Sequence, residues 1–167
     1  MLGGPAITFN SDKSGQLILA TDGAGFFVTD VGDSTPHGGN VRSVIGTIAG
    51  ADYDDGSQGF DVPAGARGDA LRGLKTGQWA KYTVNVPATG YYDISASVAS
   101  GSGGRFHLEF NGVNVTGPVE IKVAAGPKAW AEVRISHVRL IAGDQYMKFF
   151  AETNGLDFSS IGMGNEN

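Results

Sequence analysis

Gly77–Ser100 reads GQWAKYTVNVPATGYYDISASVAS, and its two alternating runs decide the fold class. In the first, Trp79, Lys81, Thr83 and Asn85 alternate with Ala80, Tyr82, Val84 and Val86. In the second, Tyr92, Ile94, Ala96 and Val98 share one face, and Tyr91, Asp93, Ser95 and Ser97 the other. A period of two, filled by aromatic and β-branched side chains, is that of half-buried antiparallel strands. Between them, Pro87-Ala88-Thr89-Gly90 carries turn chemistry: proline presets φ and glycine tolerates positive φ. The expectation is a hairpin of two neighbouring strands.

The same pattern continues outward. Arg105 to Phe110 turns Phe106, Leu108 and Phe110 inward and His107 and Glu109 outward, and Asn111-Gly112 is a strong hairpin turn. Val113 to Val123 extends the meander, with a bend expected at Thr116-Gly117-Pro118. Trp130 to Ile141 alternates again, Gln145 to Glu152 follows the turn Ala142-Gly143-Asp144, and Leu156 to Met163 is the last strand. Upstream, Val44 to Tyr53 reads as a strand. Ala6 to Asn10, Gln16 to Thr21 and Gly25 to Val31 read as shorter ones, separated by turn residues at Ser11 to Gly15 and at Asp22-Gly23. No stretch carries the helical period. These strands predict an all-β jelly roll, a β-sandwich of two antiparallel sheets with an N-terminal strand arm. The expected division is residues 1–40 as arm and linker and 41–167 as the sandwich.

Composition narrows the function classes. The chain has 167 residues, 27 glycines, no cysteine and a net charge of -5. It is long enough to bury a core without staples. It has no basic stripe to neutralise phosphates, which argues against nucleic acid, and no apolar run of membrane-spanning length. Without cysteine there is no disulfide, thiolate zinc site or thiol catalysis. Met1 to Ala6 lacks the basic and apolar segments of a signal peptide. His37, His107 and His137 show no metal-ligand spacing, and Gly101-Ser102-Gly103 reads as a flexible turn rather than a nucleophile elbow. Glu109, Glu120, Glu132 and Glu152 alternate with apolar residues, the pattern of a solvated sheet face rather than of a catalytic carboxylate pair. The expectation is a protein without catalytic activity. Asp52, Asp54 and Asp55 beside Gly56 have the oxygen ligands that calcium takes, but their spacing is not that of an EF-hand loop and is commoner in plain turns.

Trp79 to Val98 resembles the central segment of family-6 carbohydrate-binding modules. The likeness extends upstream to Ile45–Asp54 and to Gly68-Asp69-Ala70-Leu71-Arg72, and downstream to Gly104–Gly117 and Leu156–Met163, covering roughly residues 44–163. The resemblance implies a jelly roll that binds sugars on flat aromatic platforms, helped by one Asn or Asp. Its two aromatic platforms correspond to Leu74 and Pro127, and its polar ligand residue to Asp157 or the neighbouring Asn154. Trp79 and Trp130 match positions closer to the core. The family's structural calcium implies two glutamates, replaced here by Ala49 and Ala51, and an aspartate that falls near Ser159.

With the platforms replaced and no calcium or other cofactor expected, the reading that follows is weak glycan binding at most, on a jelly roll reused for assembly. The expected role is surface decoration (cement) of a phage-like capsid, as a homo-oligomer such as a trimer bound to the larger assembly. The place would be the virion surface or the extracellular space. The alternative is a polysaccharide-binding module of a secreted glycoside hydrolase or lyase, using Asp157, Asn154 and aromatics such as Tyr53, Tyr91 or Phe60.

Overall fold

The strand-forming runs form strands. The computed structural model describes residues 16–20, 26–30, 36–59, 70–123 and 129–166. It divides into two compact units, Met1–Thr35 and Pro36–Asn167. In the first, β1 (Gln16–Ala20) and β2 (Phe26–Asp30) pair antiparallel, with Ile18 opposite Val28. The expected strand at Ala6 to Asn10 lies outside the described residues.

In the second unit the chain runs through β3 (Arg42–Ser43), β4 (Gly46–Ala49), a 3-10 turn (Gly50–Asp52), β5 (Asp55–Gly56) and β6 (Leu71–Leu74). The longer strands follow: β7 (Trp79–Val86), β8 (Gly90–Ser100) and β9 (Gly104–Phe110). Then come β10 (Val113–Asn114), β11 (Val119–Ile121), β12 (Ala131–Leu140), β13 (Gly143–Ala151) and β14 (Leu156–Asn165). The larger sheet has the order β10-β9-β13-β7-β3, with β11 on β9 and β5 on β7. The smaller sheet is β12-β8-β14-β6. Pairing is antiparallel except for β3 on β7 and a single bridge from Ile45 to Met163. This is the jelly-roll sandwich that the alternation predicts.

One expectation is corrected. β7 and β8 are both strands with the predicted faces, but they are not a hairpin. β7 pairs with β13, β3 and β5 in the larger sheet, whereas β8 lies between β12 and β14 in the smaller one. Pro87–Thr89 is therefore an arch between sheets, pinned where the Tyr92 hydroxyl donates to the Ala88 carbonyl at 2.6 Å. In a hairpin the two apolar faces would lie side by side; in the arch they face each other across the core. The alternation fits either. The connections β8–β9, β12–β13 and β13–β14 change sheets in the same way. Asn111-Gly112 does form its hairpin, with φ of 49° and 78° and Phe110 opposite Val113.

The core closes where inward residues of the two sheets meet. Phe149 of β13 stacks on Phe158 of β14 (ring centroids 4.0 Å apart) and on Phe106 of β9 (4.8 Å), and Tyr82 meets Phe158 edge-on at 6.3 Å. The Tyr82 hydroxyl donates to the Gly50 carbonyl at 2.7 Å. Burial pushes the Tyr82 phenol well above its ordinary pKa, with the Asp52 charge adding to the effect, so the donating form is retained.

The strand expected from Val44 to Tyr53 is shorter than that, because the chain turns at Gly50 to pass beneath β14. A Cβ on Gly50 would stand 2.4 Å from the Phe158 carbonyl oxygen, a backbone atom with no room to retreat. Gly50→Ala is expected to cost about 1–3 kcal/mol through overpacking, read as a lower urea midpoint at unchanged slope. Gly164→Ala, whose Cβ meets nothing within 4 Å, is the control and stays within about 0.5 kcal/mol of the parent.

Candidate functional site

Of the positions implicated by the sequence, Leu74, Asn154 and Asp157 gather at the end of the sandwich where β6 meets β14. Leu156 pairs with Leu74, but Phe158 pairs with Leu71, so β6 carries one extra residue there. Gly73 takes the positive φ (65°) that such a bulge requires. As a result both Leu71 and Leu74 turn inward and are fully buried. The assignment of Leu74 to a ligand-lining position is thereby corrected: the bulge puts its side chain in the core. Arg72 stays outside, on the face it shares with Asp157.

Asp157 caps this bulge. Its Oδ1 accepts from the Gly73 backbone N–H at 2.8 Å, and its Oδ2 accepts from the Arg72 guanidinium at 3.2 Å. Asn154, in the connection from β13 to β14, accepts from the Thr76 N–H at 3.0 Å through Oδ1. Its Nδ2 makes no protein hydrogen bond among the described residues. Pro127 lies outside the described residues.

Trp130 is the residue whose role the sequence misplaces. It precedes β12 and is 41% exposed rather than in the core. The Arg72 guanidinium carbon lies 5.7 Å from its ring centroid. The end of the sandwich thus presents an open indole beside a guanidinium–carboxylate pair. The apolar ring offers area that matches the C–H face of a pyranose, and the polar pair supplies donors and acceptors for hydroxyl groups. The one available signal was the alternation, which sets Trp130 on the same face as the charged Glu132 and Arg134. Trp79 is also not in the core. It sits half-buried on the outer face of β7, with the Lys148 ammonium 4.4 Å from its ring centroid.

Of the other aromatics considered, Tyr53 is partly buried against the core. Tyr91 is exposed but stacked on His137 at 3.9 Å. Phe60 lies outside the described residues.

The aspartate cluster has a structural occupation. Asp54, whose side chain is buried, accepts from the Thr83 backbone N–H and from the His37 N–H at 2.5 Å, and lies 3.8 Å from Arg42 Nη1. Asp52 is 3.8 Å from Arg42 Nη2, and Asp55 is 3.4 Å from Lys81 Nζ. Among the described residues no group of three or more His, Asp or Glu is placed to hold a metal. The positions implied for a structural calcium do converge. Gly50, between Ala49 and Ala51, packs so that its Cβ would lie 3.2 Å from the Ser159 carbonyl oxygen. Two methyl side chains supply no oxygen ligand, so these residues do not fit a calcium ion.

The exposed aromatic and the polar pair thus lie together at the loop end of an antiparallel jelly roll. Residues 51–162 match the family model described as carbohydrate binding module (family 6). The chain belongs to this family. Among curated protein sequences none matches it. Solved structures do. A family-6 module from Clostridium stercorarium in complex with cellobiose shares 16% identity at a TM-score of 0.63, covering 77% of this chain and 99% of that one. The C-terminal family-6 module of a marine laminarinase from Zobellia galactanivorans shares 24% at 0.63, over 71% and 98%. A family-6 module of a Cellvibrio mixtus lichenase, in complex with cellotriose, shares 28% at 0.58, over 74% and 98%.

Proposed function

We propose that this protein is a polysaccharide-binding module, the non-catalytic partner of a secreted glycoside hydrolase or lyase, acting outside the cell. The observation that carries this reading is the open Trp130 ring with Arg72 and Asp157 beside it, on a family-6 fold. Trp130 replaces the platforms missing at Leu74 and Pro127, Arg72 and Asp157 address hydroxyl groups, and Asn154 offers its Nδ2 amide, which has no hydrogen bond among the described residues. Residues 41–167 are the module in this reading, and residues 1–40 its arm and linker. The capsid-decoration role and the homo-oligomer expected with it draw no support from the fold or from these three relatives, two of which hold cello-oligosaccharides.

The test is affinity electrophoresis of the full chain in gels containing neutral β-glucans or xylan. At least one polysaccharide is expected to retard the protein. Trp130→Ala is expected to weaken that retardation about tenfold or more, as truncation of a central aromatic does. Its melting temperature is expected to hold, because the ring is exposed. A wild-type protein retarded by none of them, or a Trp130→Ala variant that binds unchanged, would sink the proposal.

A further inference from the structure

The smaller sheet ends in β12. Among the described residues β12 pairs only with β8, from Ala131 opposite Val98 to Leu140 opposite Gly90. Its inward residues mark the open side: Ala131, Val133 and Ile135 are half-buried, whereas Val98, Ala96 and Ile94 opposite them are buried. An edge strand points every second pair of N–H and C=O groups away from its sheet, where another strand can take them up. Proteins blunt such edges with prolines, bulges or charged side chains, above all lysine. Ala131–Ile135 has no proline, bulge or lysine, and its two charges are of opposite sign. The bulge comes after it, between Ile135 and Val138, where His137 takes a φ of 62°.

The two charges select what fits this edge. Glu132 and Arg134 are both exposed on the outer face, with Arg134 Nε donating to Glu132 Oε1 at 3.0 Å. Their register partners on β8 are the uncharged Ser97 and Ser95. An antiparallel second copy centred on Val133 sets Glu132 opposite that copy's Arg134, and Arg134 opposite its Glu132. Centring the pair on Glu132 or on Arg134 instead sets like charges opposite each other, which is destabilising. On the inward face the Val133-centred register lays Val133 against Val133 and Ala131 against Ile135, covering the apolar area that is half-open in one copy. An edge that reads acidic then basic is thus complementary to its own antiparallel copy, the requirement of a two-fold interface.

We infer that β12 is a self-association edge, through which two copies of this chain pair antiparallel over Ala131–Ile135 and join their smaller sheets into one. The seam is short and belongs with the smallest interfaces, so the dimer is weak, with a dissociation constant on the order of 100 µM. It is a two-fold pair of modules, distinct from the capsid-bound oligomer expected from the sequence, and it does not depend on the glycan-binding reading. The two-fold axis stands perpendicular to the sheet. Both Trp130 positions therefore lie on one face, six residue steps or about 20 Å apart along the seam. The pair presents two copies of the Trp130 cluster to the same surface.

The experiment is sedimentation equilibrium of the full chain from about 10 µM to about 1 mM, at low and high ionic strength. It is repeated with Arg134→Glu, with Glu132→Arg and with the double variant Glu132→Arg/Arg134→Glu. Wild type is expected to dimerise, and less so as salt rises. Each single variant turns two attractions into two repulsions and is expected to weaken the dimer about tenfold or more. The double variant restores unlike charges across the seam and is expected to associate as wild type does. An equimolar mixture of the two single variants is expected to form mixed dimers, because one chain then offers two acidic side chains and the other two basic ones. Recovery in the double variant and in the mixture also shows that the single variants are folded. Hydrogen exchange of wild type over the same concentrations locates the seam, with amides of Ala131–Ile135 gaining protection as the dimer forms. A wild type that stays monomeric throughout, single variants that dimerise like wild type, or a double variant no better than the single ones would each overturn the inference. Full protection of these amides in the dilute monomer would mean that another segment of the same chain lies on the edge, and would overturn it too.

Discussion

Asp54→Ala is expected to lower the unfolding free energy by about 3–5 kcal/mol, the cost of breaking one side of a buried ion pair. The carboxylate performs several tasks at an edge of the larger sheet. It takes the place of a backbone acceptor for the Thr83 N–H and holds the His37 N–H. It also lies 3.8 Å from Arg42 Nη1, a buried nitrogen without a hydrogen bond among the described residues, and offsets its charge. Between the parallel pairing of β3 with Val84-Asn85 and the antiparallel pairing of β5 with Ala80-Lys81, its side chain completes the ladder along β7. Alanine leaves the part-buried Thr83 N–H and the exposed His37 N–H without their acceptor and removes the charge beside the Arg42 guanidinium, and the buried groups add their desolvation penalty. Equilibrium urea unfolding reads the loss as a lower midpoint. A change under about 1 kcal/mol would mean that water enters and replaces the carboxylate, and would refute the structural role assigned here.

Phe149→Ala is expected to cost a similar amount, about 3–5 kcal/mol, by a different route. Phe149 is fully buried and lies between Phe106 of its own sheet and Phe158 of the opposite one. Its removal opens a cavity where the two sheets touch, and strands tied into ladders on both sides relax little to fill it. Phe149→Leu, which keeps most of the volume, is expected to cost less than about 1.5 kcal/mol. The comparison of the two by urea unfolding separates packing from any specific need for an aromatic ring. Equal losses for alanine and leucine would contradict the cavity explanation and point to the ring stack itself.

Much of this architecture is legible in the residues, and the failures have a common form. The inward sets Ala80-Tyr82-Val84-Val86, Tyr92-Ile94-Ala96-Val98 and Phe106-Leu108-Phe110 are buried as the alternation requires. The Asn111-Gly112 turn also follows from its own chemistry. The pairing of β7 and β8 does not, because the same alternation serves a hairpin or an arch. Leu74 reaches the core through a bulge set by Gly73 and capped by Asp157, a residue more than eighty positions away. The family resemblance placed Trp130 and Trp79 closer to the core, yet both stand on outer surfaces.

The sequence by itself determined the fold class and the family, and which side of each long strand faces inward, since these depend on the two-residue period of the strand and on the apolar surface it must hide. Only the tertiary structure decided which strands are neighbours, which carboxylates already have partners and which aromatic rings stay open. The same holds for the register that sets Lys148 opposite Lys81. Those properties depend on pairings between residues far apart in the chain, and a local pattern constrains such pairings only weakly because several arrangements bury the same faces.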